Sequence, residues 1–141
     1  MESIPRKNTA VLVVDDDGGL LLSIKATLIS AGLPEPALVS DSRRVAELMR
    51  LHRFQLVLLD LMMPLLGGME VLQQIKEEWP ETDCVIVSAM DDVTTAVRAM
   101  NSGAGDYLVK PLNSEKLVAL VHSHLERYRL RDELARLGRK K

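Results

Sequence analysis

The sequence predicts an α/β fold, a doubly wound (βα)5 succession around a five-stranded parallel sheet with an extended C-terminal helix. Two observations carry that reading. Five short runs rich in Val, Ile and Leu recur along the chain, each ending at a polar residue. Between them lie stretches with apolar residues three and four apart, the spacing of one helix face. Continuous apolar runs fit strands buried on both faces, and strict alternation with short connections gives right-handed crossovers.

The elements follow in order. TAVLVV before Asp15 is the first strand, and Leu21, Ile24, Leu28 and Ile29 stripe the first helix, closed by Gly32-Leu33-Pro34. PALVS from Pro36 is the second strand, ending at Ser40 and Asp41, an N-cap signal for a helix striped by Val45, Leu48, Met49 and His52. QLVLL before Asp60 leads to a helix with Val71, Leu72, Ile75 and Trp79 on one side, stopped at Trp79-Pro80. CVIV before Ser88 precedes a helix carrying Val93, Ala96, Val97 and Met100, which Ser102-Gly103 ends. DYLV before Lys110 is the fifth strand. The last helix starts near Ser114 and can run to Leu137.

That last helix is too long for one docking face. Val118, Val121, Leu125 and Tyr128 form a stripe for the sheet, whereas Leu130, Leu134 and Leu137 continue in another phase. The expectation is a linker helix that pairs with a second copy, the alternative being a frayed helix end. The chain then divides into an N-terminal tail over 1–8, one domain over 9–128 and a helical linker or C-terminal extension over 129–141.

Composition narrows the function. The chain has 141 residues, 47% hydrophobic and 27% charged, with a net charge of -2. That suffices for one ordinary core and argues against disorder. No apolar run approaches the roughly 18 to 20 residues of a membrane span, and MESIPRKNTA lacks the apolar middle of a signal peptide. A lone Cys84 cannot form an internal disulfide, which fits a reducing cytoplasm, and its place opening a core strand marks an inert thiol. Aromatics at 3% and the absence of zinc-type Cys/His spacing remove stacking platforms for single-stranded nucleic acid and zinc modules. From His124 onward seven basic residues face three acids, so the tail carries +4 and everything before it -6. Such a tail reads as a solvated helix end, cations suiting the negative end of the helix dipole, rather than a nucleic-acid contact. His122 and His124 read as surface or linker residues, and Trp79 as packing at a helix end.

In a doubly wound sheet, ligands sit beyond the carboxyl ends of the strands, where the winding reverses. The first strand ends in Asp15, Asp16 and Asp17, the third in Asp60, the fourth in Ser88 and the fifth in Lys110. Four strands thus aim polar groups at one rim and the second is the edge, as in the order 2-1-3-4-5. A helix cap accounts for one aspartate, and Asp17 suits it, but not for three. Two carboxylates about 5 Å apart repel by roughly 3 kcal/mol at an effective dielectric of 20. Such a cluster persists if a hard divalent cation holds it, and oxygen ligands with room for water suit Mg2+. With a lysine and a hydroxyl donor, the set is a site for phosphoryl transfer to a carboxylate.

Four stretches then carry a family resemblance: VLVVDDD at 11–17, LVLLDLMMPLLGGMEVL at 56–72, VIVSAMDD at 85–92 and GAGDYLVKPL at 103–112. Over 9–128 the chain resembles the receiver domain of bacterial two-component response regulators, a flavodoxin-like fold. The stretch from Ser88 to Pro111 is most similar to receivers attached to enhancer-binding transcription activators of the NtrC type. The resemblance implies a phosphorylation-activated switch rather than an enzyme acting on other substrates. Asp60 would take a phosphoryl group from a sensor histidine kinase. Asp15, Asp16, Asp60 and the backbone carbonyl of Met62 would hold Mg2+, and Ser88 and Lys110 would contact phosphoryl oxygens. Tyr107 would be the switch aromatic, turning inward when Ser88 moves, and Lys110-Pro111 a cis peptide. The face of the fourth helix, fifth strand and fifth helix, or the C-terminal helix, would control homodimerisation or an output domain beyond Lys141.

Some positions depart from the family pattern. Asp17 stands where Glu is commoner, Gly18-Gly19 replace a bulkier helix start, and Gly67 replaces an acid. Met62 and Met90, two after Asp60 and Ser88, put apolar side chains on the expected path of the hydrolytic water, which should slow self-dephosphorylation. Two other readings fail on residues. A haloacid-dehalogenase-like phosphatase needs DxDx[TV], where Gly18-Gly19 follow Asp17 and Asp60 would be idle. A flavodoxin-like cofactor binder needs a phosphate-cradling loop where three acids stand.

Overall fold

A computed structural model describes residues 1–5 and 9–139. In chain order the elements are β1 (Glu2–Ser3), β2 (Val11–Val14), α1 (Gly18–Ser30), β3 (Ala37–Val39), a 3-10 turn (Ser42–Arg44) running into α2 (Val45–Leu51), β4 (Leu56–Leu59), α3 (Gly68–Glu78), β5 (Asp83–Ser88), α4 (Val93–Asn101), β6 (Asp106–Val109) and α5 (Ser114–Arg139). Residues 6–8 of the expected tail, and Lys140 and Lys141 of the basic end, lie outside the described residues.

The sheet order is β1-β3-β2-β4-β5-β6. Its five parallel strands follow the expected 2-1-3-4-5, but the sheet has six strands. The expectation of a purely parallel, five-stranded sheet is therefore corrected: Glu2–Ser3, in the N-terminal tail, adds an antiparallel sixth strand. Glu2 pairs with Val39 and Ser3 with Leu38, antiparallel, on the ladder groups that β3 would otherwise leave open. The Met1 ammonium donates to Ser40 Oγ at 2.6 Å and Arg44 Nε to Glu2 at 3.0 Å, which anchors the strand. A two-residue strand leaves no periodic signal, so the sequence did not announce it.

Alternation along the strands builds two cores. Leu12, Val14, Val57 and Leu59 face α2, α3 and α4, while Val11, Val13, Leu56 and Leu58 face α1 and α5. Three stripes shift from their expected phase or surroundings. On α4 only Ala99 is buried, and Val93, Val97 and Met100 are 77%, 49% and 45% exposed, so that stripe faces outward. On α1, Ile29 is exposed while Leu21, Ile24 and Leu28 are buried. On α5 the buried residues are Leu117, Val121 and His124, a docking stripe one position away from that read through Val118 and Leu125. β6 forms the other edge and is only partly covered. Among the described residues no helix is long and apolar enough to cross a membrane.

Candidate functional site

The parallel ladder delivers the site residues one step beyond the strands. Asp15 N–H donates to Val39 O at 3.2 Å, Asp60 N–H to Val14 O at 3.1 Å, and Lys110 N–H to Ser88 O at 2.9 Å. Each side chain is thus fixed by the last rung of its strand. Asp15, Asp60 and Ser88 are buried at 2%, 4% and 0% exposure, and Asp16 is exposed. Asp15, Asp16 and Asp60 each bring a carboxylate oxygen within 4.8 Å of the others. Lys110 Nζ donates to Asp15 Oδ2 at 2.8 Å and to Asp60 Oδ2 at 3.3 Å. The Lys110–Pro111 peptide is cis.

The electrostatics follow from that crowding. Burial pushes the Asp15 carboxyl above its ordinary range, against the opposing pull of its hydrogen bond to Lys110. Burial works against the charge on Lys110, yet its bond to Asp15 and the charges of Asp15 and Asp60 hold its pKa above the usual lysine value. One lysine therefore faces three carboxylates. Neighbouring backbone orients two of them: Asp17 N–H donates to Asp15 Oδ1 at 2.9 Å and Met62 N–H to Asp60 Oδ1 at 3.1 Å. Asp17 itself caps α1, accepting from Leu20 N–H at 3.1 Å.

The rest of the rim is linked through Met90. Its N–H donates to Ser88 Oγ at 3.3 Å, and its carbonyl accepts from Tyr107 Oη at 2.6 Å. Tyr107 is half-buried, and burial raises the pKa of its hydroxyl. Met62, two residues after Asp60, is 59% exposed.

The response regulator receiver domain family matches residues 11–122. This chain belongs to that family. It is 35% identical over 117 residues to the response regulator MprA of Mycolicibacterium vanbaalenii, covering 83% of this chain and 50% of that protein. It is 38% identical over 122 residues to the transcriptional regulatory protein ZraR of Escherichia coli K12, covering 83% of this chain and 27% of that protein. The chain thus spans half or less of the length of these relatives. Among solved structures, the signal receiver domain of a putative Luxo repressor protein from Vibrio parahaemolyticus superposes with a TM-score of 0.84 at 30% identity, covering 91% of this chain and 98% of that one. The chain is a receiver domain of two-component response regulators, which are signalling proteins.

Strand-end reasoning placed Asp15, Asp16, Asp60, Ser88 and Lys110 on this rim, where the strands deliver them, while Tyr107, marked only by the family resemblance, lies within β6 and reaches the Met90 carbonyl. Sequence reasoning did not single out Gly68 as structurally necessary. A Cβ there would lie 2.2 Å from Asp60 O and 2.5 Å from Leu61 Cα, so α3 starts against the backbone of Asp60 only because Gly68 has none. The Gly67-Gly68 pair just before an apolar stripe was the available signal. Nor did it foresee Met90 as the joint between Ser88 and Tyr107, because backbone groups carry no residue signature.

Proposed function

We propose that this receiver accepts a phosphoryl group on Asp60 from the phosphohistidine of a sensor histidine kinase and relays the new charge to the face of α4, β6 and α5. The observation that carries the reading is the convergence of Asp15, Asp16 and Asp60 under a single lysine. The donor set fits Mg2+: all three side chains are oxygen ligands and Asp16 keeps one side open to water. Asp15, Asp16 and Asp60 would hold the ion, with the Met62 carbonyl as a further oxygen. Bound there, Mg2+ supplies positive charge against the phosphoryl oxygens during transfer.

An Asp60 carboxylate oxygen attacks phosphorus while the donor's P–N bond breaks, its electron pair staying on the imidazole nitrogen. Lys110 exchanges a carboxylate partner for a phosphoryl oxygen. The Ser88 hydroxyl donates to another oxygen, which withdraws it from the Met90 N–H. Met90 also holds Tyr107, so that turn carries the displacement from the phosphoryl group to the outer face. Val93, Val97 and Met100 of α4 and Val109 of β6, the last 44% exposed, give this face an apolar surface for a second copy or an output domain. The exposed Leu130, Leu134 and Leu137 offer the distal half of α5 as a second pairing surface. Residues 9–128 form the receiver and 129–141 the linker toward further chain. A kinase partner and the absence of an internal disulfide at Cys84 support a cytoplasmic setting.

The test is intact mass after incubation with a small phosphodonor and Mg2+, for the parent and for Asp60→Asn. A Mg2+-dependent gain of one phosphoryl group in the parent alone is expected. No gain in a folded parent would overturn the reading and leave a receiver-like binding module.

A further inference from the structure

The opposite rim of the sheet, where β5 and β6 begin, holds a second charge cluster that the phosphoryl chemistry does not use. His124 of α5 is 1% exposed. Its Nδ1 lies 2.8 Å from Asp83 Oδ2 and its Nε2 2.8 Å from Asp106 Oδ2. A carboxylate only accepts hydrogen bonds, so both ring nitrogens carry hydrogen and the ring is an imidazolium. The reading of His124 as a surface or linker residue is therefore corrected. The remaining Asp83 oxygen accepts from Arg131 at 2.9 Å, and Asp83 N–H is tied to Gln55 O at 3.0 Å. The ring fits because residue 105 is glycine: a Cβ there would meet His124 Cε1 at 2.8 Å.

The position on the helix gives this cluster its leverage. His124 is the last buried residue of α5, and from Leu125 to Arg139 no side chain is buried. Asp106 directly precedes Tyr107 on β6, the strand that ends at Lys110. The imidazolium thus ties the output helix to the edge strand carrying the switch residues, and Arg131 extends the tie along the exposed segment.

We propose that His124 is a proton-dependent lock: its charged form binds α5 to β6 through Asp106, and loss of its proton releases that tie and loosens the segment Leu125–Arg139. A neutral ring keeps one N–H. Asp83 is buried and already holds Arg131, so the remaining hydrogen stays on Nδ1. Asp106, whose side chain is 46% exposed, takes water instead, and the bare Nε2 is left facing a carboxylate. The charged groups facing the ring are Asp83 from β5 and Asp106 from β6, with Arg131 of α5 behind Asp83. The hydrogen bond to Asp83 raises the His124 pKa, burial opposes it and the bond to Asp106 adds to it. A raised histidine pKa means that the lock is fully present below the ordinary histidine value and is lost as pH climbs through the folded one.

The test uses the full chain without phosphodonor, so it is separate from the phosphoryl reading. The ring resonances of His124 are followed by NMR, and amide exchange of α5 is compared at about pH 6 and about pH 9 after correction for intrinsic rates. His124 should titrate above the ordinary histidine value, with protection of Leu125–Arg139 falling several-fold across that midpoint. Asp106→Asn, at the more exposed partner, should fold and lower the midpoint. His124→Leu should make protection independent of pH. A His124 midpoint at or below the ordinary histidine value, no shift in Asp106→Asn, or an unchanged pH dependence in a folded His124→Leu would each overturn the lock.

Discussion

The two rims of the sheet are built from the same parts and end in opposite states. At each, a cation from a late element reaches across strands to a buried aspartate and a second carboxylate. At the carboxyl rim one lysine faces Asp15, Asp16 and Asp60. At the amino rim His124 and Arg131 face Asp83 and Asp106, two cations for two acids. The balanced cluster is complete and serves as a clamp. The unbalanced one carries excess negative charge in a partly buried place, a condition that favours a hard cation. Charge balance, rather than the presence of charged residues, separates a site from a staple.

The largest expected effect breaks the balanced rim. Asp83→Ala would leave a buried imidazolium with one partner and free Arg131, and removing one member of a buried ion pair costs about 3–5 kcal/mol. Urea denaturation at neutral pH measures it. Next comes Gly68→Ala on the acidic rim, where the new methyl would meet the Asp60 backbone at 2.2 Å. Overpacking against backbone costs on the order of 2–3 kcal/mol and would displace the turn after Asp60, so the phosphorylation proposed there should fall with stability. The pair shows that one rim is held by charge and the other by close backbone approach.

Smaller effects carry opposite signs at the two rims. Asp15 has a raised folded pKa, from burial first, so its ionised form opposes folding and lowering the pH relieves that strain. Asp83 has a lowered one: burial would raise it, but the bonds from His124 and Arg131 outweigh burial. Its stabilisation is present above the ordinary aspartate value and is lost as pH falls through the folded one. Asp15→Asn should therefore stabilise the metal-free protein at neutral pH by about 1 kcal/mol while abolishing Mg2+-dependent stabilisation. Thermal melts with EDTA and with Mg2+ decide it. An unchanged response to Mg2+ would remove Asp15 from the metal site.

How legible these rims were differs for a physical reason. Asp15, Asp16, Asp60, Ser88 and Lys110 each end an apolar run, and strand direction alone sends them to one edge. Asp83 and Asp106 begin strands, where acids are ordinary boundary residues, and His124 is one polar residue on a stripe read one position out of phase. Nothing local tells a surface histidine from one caged by two strands distant in sequence. Cys84, by contrast, was legible: it is fully buried, and burial pushes its thiol up to about 12. The stripe of Val93, Val97 and Met100 shows the limit of periodicity, which marks an apolar face without saying whether the core or a partner covers it.

That limit also sets the smallest prediction, at the far end of α5. Past His124 the docking face carries Tyr128, Arg131 and Ala135, lining a cleft of about 930 Å3 against the turns after α2 and α3. Leu130, Leu134 and Leu137 lie on the other side of the helix, 47%, 68% and 59% exposed. If those leucines served the fold, Leu134→Ser would weaken it. They touch no core, so the change in unfolding free energy should stay within about 0.5 kcal/mol. The same substitution should weaken self-association of the phosphorylated chain, read by sedimentation across a concentration series. Unchanged association would move the pairing surface from the leucine stripe to the exposed face of α4 and β6.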